Sequence, residues 1–463
     1  MSFSQSCVRT AVRGLNFGGR TLRKLGIETP SLDADALHRA AYARAGARSY
    51  GSWDIDEPLE RLLKSYRDEA ALTTLGRITV RELIVSLLDN LLRMEAERAA
   101  NPLIEQQRIT APVFIVGLPR TGTTHLHGII SQDPDNRAPL TWEVMYPAAG
   151  RSAAEIARAR AQTGTRLNWA DRLAPEFMRI HPIAPDLPQE CIAITAQVFM
   201  SIQFHTTHDV SSYQDWLETA PQKLGFDFHL RFLQHLQAKT TTAMDGRSAA
   251  SAGRNSRPTA MDGQSAASAG RNSRPTAMDG GSAASAGPSS GSGSRWVLKA
   301  PGHLFALEGL LERYPDARII HTHRDPLRVM ASMASHATVL RRAFSDRANP
   351  RSIARDWADR WARALDKFLA VRDRARAEQF LDVRFESIES DPLGTVERVY
   401  DFVGWPLTRD ARDAMGRFLA ANPKNKHGVH SYTLEQFGLS RAAETARFRS
   451  YCERFGIPVR AER

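Results

Sequence analysis

Apolar residues recur at three- and four-residue spacing through "EPLERLLKSY" and "VRELIVSLLDNLLRMEAERA". The first 110 residues therefore predict a mostly helical segment, with Pro102 and Pro112 bracketing the exit from it. The period then changes. "VFIVG" at 113–117 is an unbroken apolar run of strand length, followed by a glycine-bearing turn and a helical pattern from Thr123. Residues 140–240 read as helices and loops. From residue 295 onward, short apolar runs alternate with helical patterns. "RWVLKA" (295–300), "ARIIHTH" (317–323) and "FLDVRFESI" (380–388) read as strands. Asp325–Pro326 and Asp391–Pro392 each set an N-cap acid before a proline at the first helical position, and Gly404 closes the second of these helices. "LRRAFSDRANPRSIARDWADRWARALDKF" predicts a partly exposed helix packed through Trp357, Trp361 and Leu365. Strands alternating with helices imply an α/β fold, a central parallel sheet with helices on both faces, and ligands at the carboxyl ends of the strands.

Residues 242–294 break this alternation. "TAMDGRSAASAGRNSRP" begins at Thr242, recurs at Thr259 with one change, and starts again in truncated form at Thr276 before "GPSSGSGS". The unit has one Met as its sole large apolar residue, so it cannot bury a face, and a disordered insertion is expected. A fold tolerates it because each doubling of loop length costs only about 0.6 kcal/mol. The expected division is an N-terminal helical segment (1–110), a main domain (111–241 and 295–463) and the repeat insertion (242–294).

Composition adds three constraints. The 463 residues are 42 % apolar, enough for a large core. The net charge of +11 suits anionic ligands, acidic membrane surfaces or nucleic acid, although arginine is spread along the whole chain without a lysine-rich block. Cys7, Cys191 and Cys452 are too scattered for a disulfide framework or a zinc site, which fits a reducing, cytoplasmic setting. No apolar run of spanning length occurs, so no membrane span is expected. The first 27 residues hold Arg9, Arg13, Arg20, Arg23 and Lys24 and no acid. This stretch reads either as an organellar transit peptide or as a basic amphipathic first helix.

The chemistry concentrates in "VFIVGLPRTGTTHLHGII". Gly117 and Gly122 keep the register of the phosphate-binding pattern G-x-x-x-x-G-K-[ST], but Thr123, followed by Thr124, stands where the lysine belongs. A strand entering a helix through such a turn aims several backbone N–H groups at one point, and the helix N-terminus adds about half a positive charge. A P-loop-type three-layer fold is expected on this ground. The loop's own cation is Arg120. A group with one negative charge, such as sulfuryl, needs less neutralisation than a terminal phosphoryl with about two.

"GLPRTGTT" resembles the 5′-phosphosulfate loop of sulfotransferases that use 3′-phosphoadenosine 5′-phosphosulfate (PAPS), whose bacterial-type members carry P-R-[ST]-G-T-T. "HRDPLRVMAS" is similar to that family's 3′-phosphate signature, which implies that Arg324 and Ser332 grip this phosphate. "VLKAPGH" lies where cytosolic members have K-T-H, their histidine being the catalytic base. Lys299 and His303 stand four apart here, so the alignment is not one-to-one. His303 is the leading base, and Glu190 and Glu143 are rivals. "LDVRFESIESDP" resembles a late strand-and-cap segment of the family. "NPKNKHGVHSYTLEQFGL" resembles its closing segment, which implies 3′-phosphate contacts from Lys426, His427 and Gly428. The resemblance implies donor binding by Arg120, Thr121, Gly122, Thr123 and Thr124, and in-line sulfuryl transfer to a hydroxyl or amine of a small-molecule, lipid or carbohydrate acceptor. It implies no metal and no nucleic-acid partner. His125 replaces the family's adenine-stacking aromatic, and neither Trp296 nor Phe385 can be assigned that role from sequence. His321 and His323 share one strand face, but no acid or cysteine with ligand spacing accompanies them, so they read as packing. Two other classes stay open: a P-loop small-molecule kinase, and a non-catalytic protein binding an anionic ligand.

Overall fold

The computed structural model describes residues 3–150, 152–173, 183–252, 295–422 and 432–459, and its centre is one parallel sheet. The strands are β1 (Val113–Gly117), β2 (Asn136–Arg137), β3 (Arg295–Lys299), β4 (Arg318–His323) and β5 (Phe380–Arg384), in the order β2-β3-β1-β4-β5. β1 lies at the middle and all five of its residues are buried, as a strand covered on both faces requires. Its alternating side chains serve two cores. Phe114 and Val116 enter a large cluster shared with the N-terminal helices, while Val113 and Ile115 pack with Leu126, Ile129 and Ile130 on the other face.

The N-terminal segment forms α1 (Phe3–Lys24), α2 (Ala34–Ala45), α3 (Asp56–Asp68) and α4 (Thr74–Ala100). These helices do not make a core of their own. Leu59, Leu62, Leu88 and Leu91 belong to the same cluster as Phe114 of β1. Beyond β1 come α5 (Thr123–Ile130), α6 (Thr141–Met145) and α7 (Ala153–Leu173). The caps expected at Asp325 and Asp391 are formed: their carboxylates accept from Leu327 N–H and Gly394 N–H, each at 3.0 Å. Trp357, Trp361 and Leu365 are buried along the helix Pro350–Arg372. No helix among the described residues is long and apolar enough to cross a membrane.

Two elements depart from expectation. The strand expected over 380–388 stops at Arg384, and Phe385–Ser390 turns into a short helix. Phe385 and Ile388, three apart, fall on one side of that helix and close against Gly122 of the phosphate loop. A tertiary contact decides the boundary there. The helix Lys223–Ala252 also continues past Thr242 into the first repeat unit, and the remaining insertion, 253–294, lies outside the described residues. β3 starts at Arg295 and is paired on both sides, Arg295 and Trp296 with β2, and Val297 to Lys299 with β1.

Candidate active site

Gly117 ends β1 with φ 148°, and a Cβ there would collide with the hydroxyl and carbonyl of Thr322 on β4. The chain then turns through Leu118–Gly122. The Thr121 hydroxyl donates to the Leu118 carbonyl at 2.7 Å and lies 2.6 Å from the Thr322 hydroxyl, so this threonine ties the turn to β4. Gly122 is the N-cap of α5 at φ 87° and has no side chain to cap it. The first-turn N–H groups of α5 therefore face outward without an intrahelical acceptor. Thr123 is buried and Thr124 exposed, side by side at this helix start.

An ammonium reaches the loop from a neighbouring strand. Lys299, the last residue of β3, is 1 % exposed. Its Nζ donates to Thr124 Oγ1 at 3.1 Å and forms an ion pair with Glu190. Glu190 precedes the helix Cys191–Thr195. Its segment is fastened beside residues 139–141: Gln189 N–H donates to the Pro139 carbonyl at 2.8 Å, and Thr141 N–H to the Leu187 carbonyl at 3.0 Å. A carboxylate, an ammonium and a hydroxyl thus meet at the mouth of the loop. Sequence reasoning named Glu190 but missed its pairing with Lys299. His127 was also missed. It is buried in α5, donates from Nε2 to the Val297 carbonyl at 3.1 Å, and so fastens the loop helix to β3. Burial first, then the Lys299 charge, lowers its pKa to about 3.

The rival bases sit differently. His303 is packed edge-on against Phe114 at 5.2 Å between ring centres and stacked on Phe226 at 5.8 Å. Its Nε2 is buried without a hydrogen-bond partner among the described residues, and burial lowers its pKa to about 3. Glu143 is fully engaged: one oxygen accepts from Arg137 and the other from Leu140 N–H, both at 2.8 Å.

Arg324 follows β4 directly. Its guanidinium donates to the Arg120 carbonyl at 2.7 Å and lies 3.8 Å from the Phe385 ring centre. Both contacts aim its fork at a recess of about 110 Å³, lined also by Arg328, Arg384 and Glu389. Arg120 is exposed at φ 67°. Burial lowers the Arg324 pKa, Glu389 opposes this, and the Arg120 and Arg328 cations add to it. Cations crowded together in this way favour an anion between them. Ser332 is half-buried in the helix Pro326–Phe344, eight residues beyond Arg324. Lys426, His427 and Gly428 lie outside the described residues. Trp296 is a core residue, donating to Gln237 Oε1 at 2.9 Å. His125 faces Phe418 at 6.5 Å between ring centres.

The expectation that no acid accompanies His321 and His323 needs correction. β5 brings in Asp382, and among the described residues these three could approach one metal ion. The acid is not visible in the spacing because it belongs to another strand. It is already committed, though: Arg372 binds both its oxygens at 2.7 and 2.8 Å, and His323 Nε2 donates to it at 2.8 Å. Burial alone would raise the Asp382 pKa, but Arg372 and His323 outweigh it and hold the carboxyl well below the usual range. A cation there would lie against a guanidinium, so the group acts as a polar tie between strands.

The profile of the Sulfotransferase family matches residues 112–410, from β1 through the Arg324 recess. The chain belongs to that family. Its similarity to omega-hydroxy-beta-dihydromenaquinone-9 sulfotransferase Stf3 of Mycobacterium tuberculosis and of Mycobacterium bovis is 28 % identity over 146 residues, 30 % of this chain. The matched stretch spans 36 % of those relatives, about a third of their length. Among solved structures, sulfotransferase STF1 from Mycobacterium tuberculosis H37Rv superposes with TM-score 0.70 at 28 % identity, over 90 % of this chain and 98 % of that one. Sulfotransferase STF9 from Mycobacterium avium gives 0.72 at 21 % identity over 94 % and 100 %, a likeness of fold. The loop without its lysine and the lysine on β3 thus belong to the scaffold of this family.

Proposed function

We propose that the chain moves a sulfuryl group from PAPS to the hydroxyl of a lipid-like acceptor, with Glu190 as the general base. The observation that carries this reading is Lys299 bridging Glu190 to Thr124 at the mouth of the phosphate loop. The α5 amides would take the 5′-phosphosulfate, and the Arg324 recess the 3′-phosphate. The acceptor oxygen attacks sulfur, the bond from sulfur to the 5′-phosphate oxygen breaks, and adenosine 3′,5′-bisphosphate leaves. The acceptor's proton passes to the Glu190 carboxylate. That transfer removes the charge which balances Lys299. The ammonium is then unbalanced as the departing phosphate gains negative charge, which is when its stabilisation helps most. Arg120 and Thr124 border the same place. Charge is handled by side chains and amides, so the scheme uses no metal.

His303 is less suited to the role. Its ring is packed against Phe114 and Phe226 and its Nε2 has no partner among the described residues, whereas Glu190 reaches the loop through Lys299. The lipid-like acceptor is supported by the relative's name, which specifies a hydroxylated menaquinone. It is supported also by a cavity of about 40 Å³ lined by Cys191, the residue after Glu190, and by Ile192, Met200, Leu217, Phe226 and His303. The two described cysteines are buried free thiols, in keeping with a reducing cytoplasm.

Isothermal calorimetry with adenosine 3′,5′-bisphosphate and with ATP plus magnesium tests the donor. Tight binding of the bisphosphate alone is expected. Preference for magnesium ATP would remove the proposal in favour of a kinase.

A further inference from the structure

We propose that α1 docks the protein on the surface of an anionic lipid bilayer. The helix lies on α4 and α7. Its inner face is marked by Gly19, which sits against the Thr74 side chain, and by Asn16, whose Oδ1 accepts from Leu75 N–H at 3.0 Å. Elsewhere on the helix, large apolar side chains point into solvent. Leu15 and Leu22, seven apart, lie on one flank at 41 % and 37 % exposure, and Phe17 is 68 % exposed. Leu25 and Ile27, just past the helix end, are 71 % and 51 % exposed, and Trp169 on α7 is 52 % exposed. Single exposed apolar residues are ordinary, but several large ones along one helix and its exit mark a surface for a partner.

The charge says what covers it. No Asp or Glu occurs among the first 27 residues. Arg13, Arg20 and Lys24, spaced by seven and four, are exposed along another flank of α1. Arg20 has one long ion pair, 3.6 Å to the half-exposed Asp346, and Arg172 lies 5.2 Å from the centre of a Trp169 ring. Two copies of so basic a face would repel each other, which disfavours self-association. An interfacial helix, by contrast, buries apolar side chains at the boundary between headgroups and acyl chains while its cations meet anionic headgroups. The inference extends the proposed function, since docking brings the site to the phase in which a lipid-like acceptor dissolves. The surface itself is argued without the donor chemistry.

The test is flotation of the full chain with vesicles of phosphatidylcholine alone or mixed with phosphatidylglycerol. Binding to the mixed vesicles, weakened by salt, is expected. The variant Phe17→Ser/Leu25→Ser should lower the partition about tenfold or more. Calorimetry with adenosine 3′,5′-bisphosphate checks that the variant is folded. Equal flotation of variant and parent, equal flotation on neutral vesicles, or a dimer in sedimentation velocity that the variant abolishes would each overturn the proposal. If vesicles bind while the bisphosphate does not, the docking inference stands and the donor reading falls.

Discussion

Glu190 and Lys299 are separated by 109 positions in the sequence and joined by an ion pair in the structure. Glu190→Gln keeps the shape and removes the base. We expect kcat to fall roughly 10²–10⁴-fold with donor affinity little changed, whereas His303→Gln should keep most of the turnover. Single-turnover kinetics on both variants decides between them, and an unimpaired Glu190→Gln enzyme would end that residue's candidacy. Arg324→Ala should weaken adenosine 3′,5′-bisphosphate binding about 10–100-fold and leave adenosine 5′-phosphosulfate nearly unaffected. Equal losses on both ligands would refute the placement of the 3′-phosphate. Much of this was legible in the sequence. The loop's glycines and threonines, Arg120 and Arg324 lie within short local patterns whose physics is local. The pairings that separate His303, Glu190 and Glu143 were not, because burial and contacts across strands set them. The same holds for Asp382, which meets two histidines from the next strand.

Elements were legible where one force dominated. The β1 run is buried on both faces and its pattern says so; the Asp–Pro starts of two helices are local devices, and both formed. β5 was read four residues too long because Phe385 and Ile388 are apolar for the sake of Gly122, not of a strand. β2, two residues long, carries no pattern that could announce it. The Gly122 position offers a test at this scale. Gly122→Ala must hold a Cβ at φ 87° and press on the Phe385 and Ile388 side chains. A stability loss of about 1–3 kcal/mol is expected, with bisphosphate affinity falling as well. Thermal denaturation with and without ligand measures both. A Tm matching the parent's would mean the turn is not under the constraint described.

Across the whole molecule, His127, His208, His229 and His303 are buried and each has its pKa lowered to about 3, with burial the largest cause in every case. An unfolded histidine takes up a proton near pH 6.5, and the native one does not. The stability they contribute is complete above about pH 6.5 and drains as pH falls toward 3, by roughly 1–2 kcal/mol for each group at pH 5. Melting curves at pH 7 and pH 5 should show Tm dropping with acidity; a flat profile would contradict the burial of these rings. The repeat leads to a milder expectation. Removing one unit, residues 259–275, should leave bisphosphate affinity as it was and shift Tm little, since loop closure depends only weakly on length. The placement of Lys299 is the ground for expecting such edits to spare the chemistry. It rides on a strand that begins where the repeat ends and is locked in register by neighbours on either side. Should copies of the unit be gained or lost, the ammonium proposed to steady the departing phosphate would keep its address on that strand.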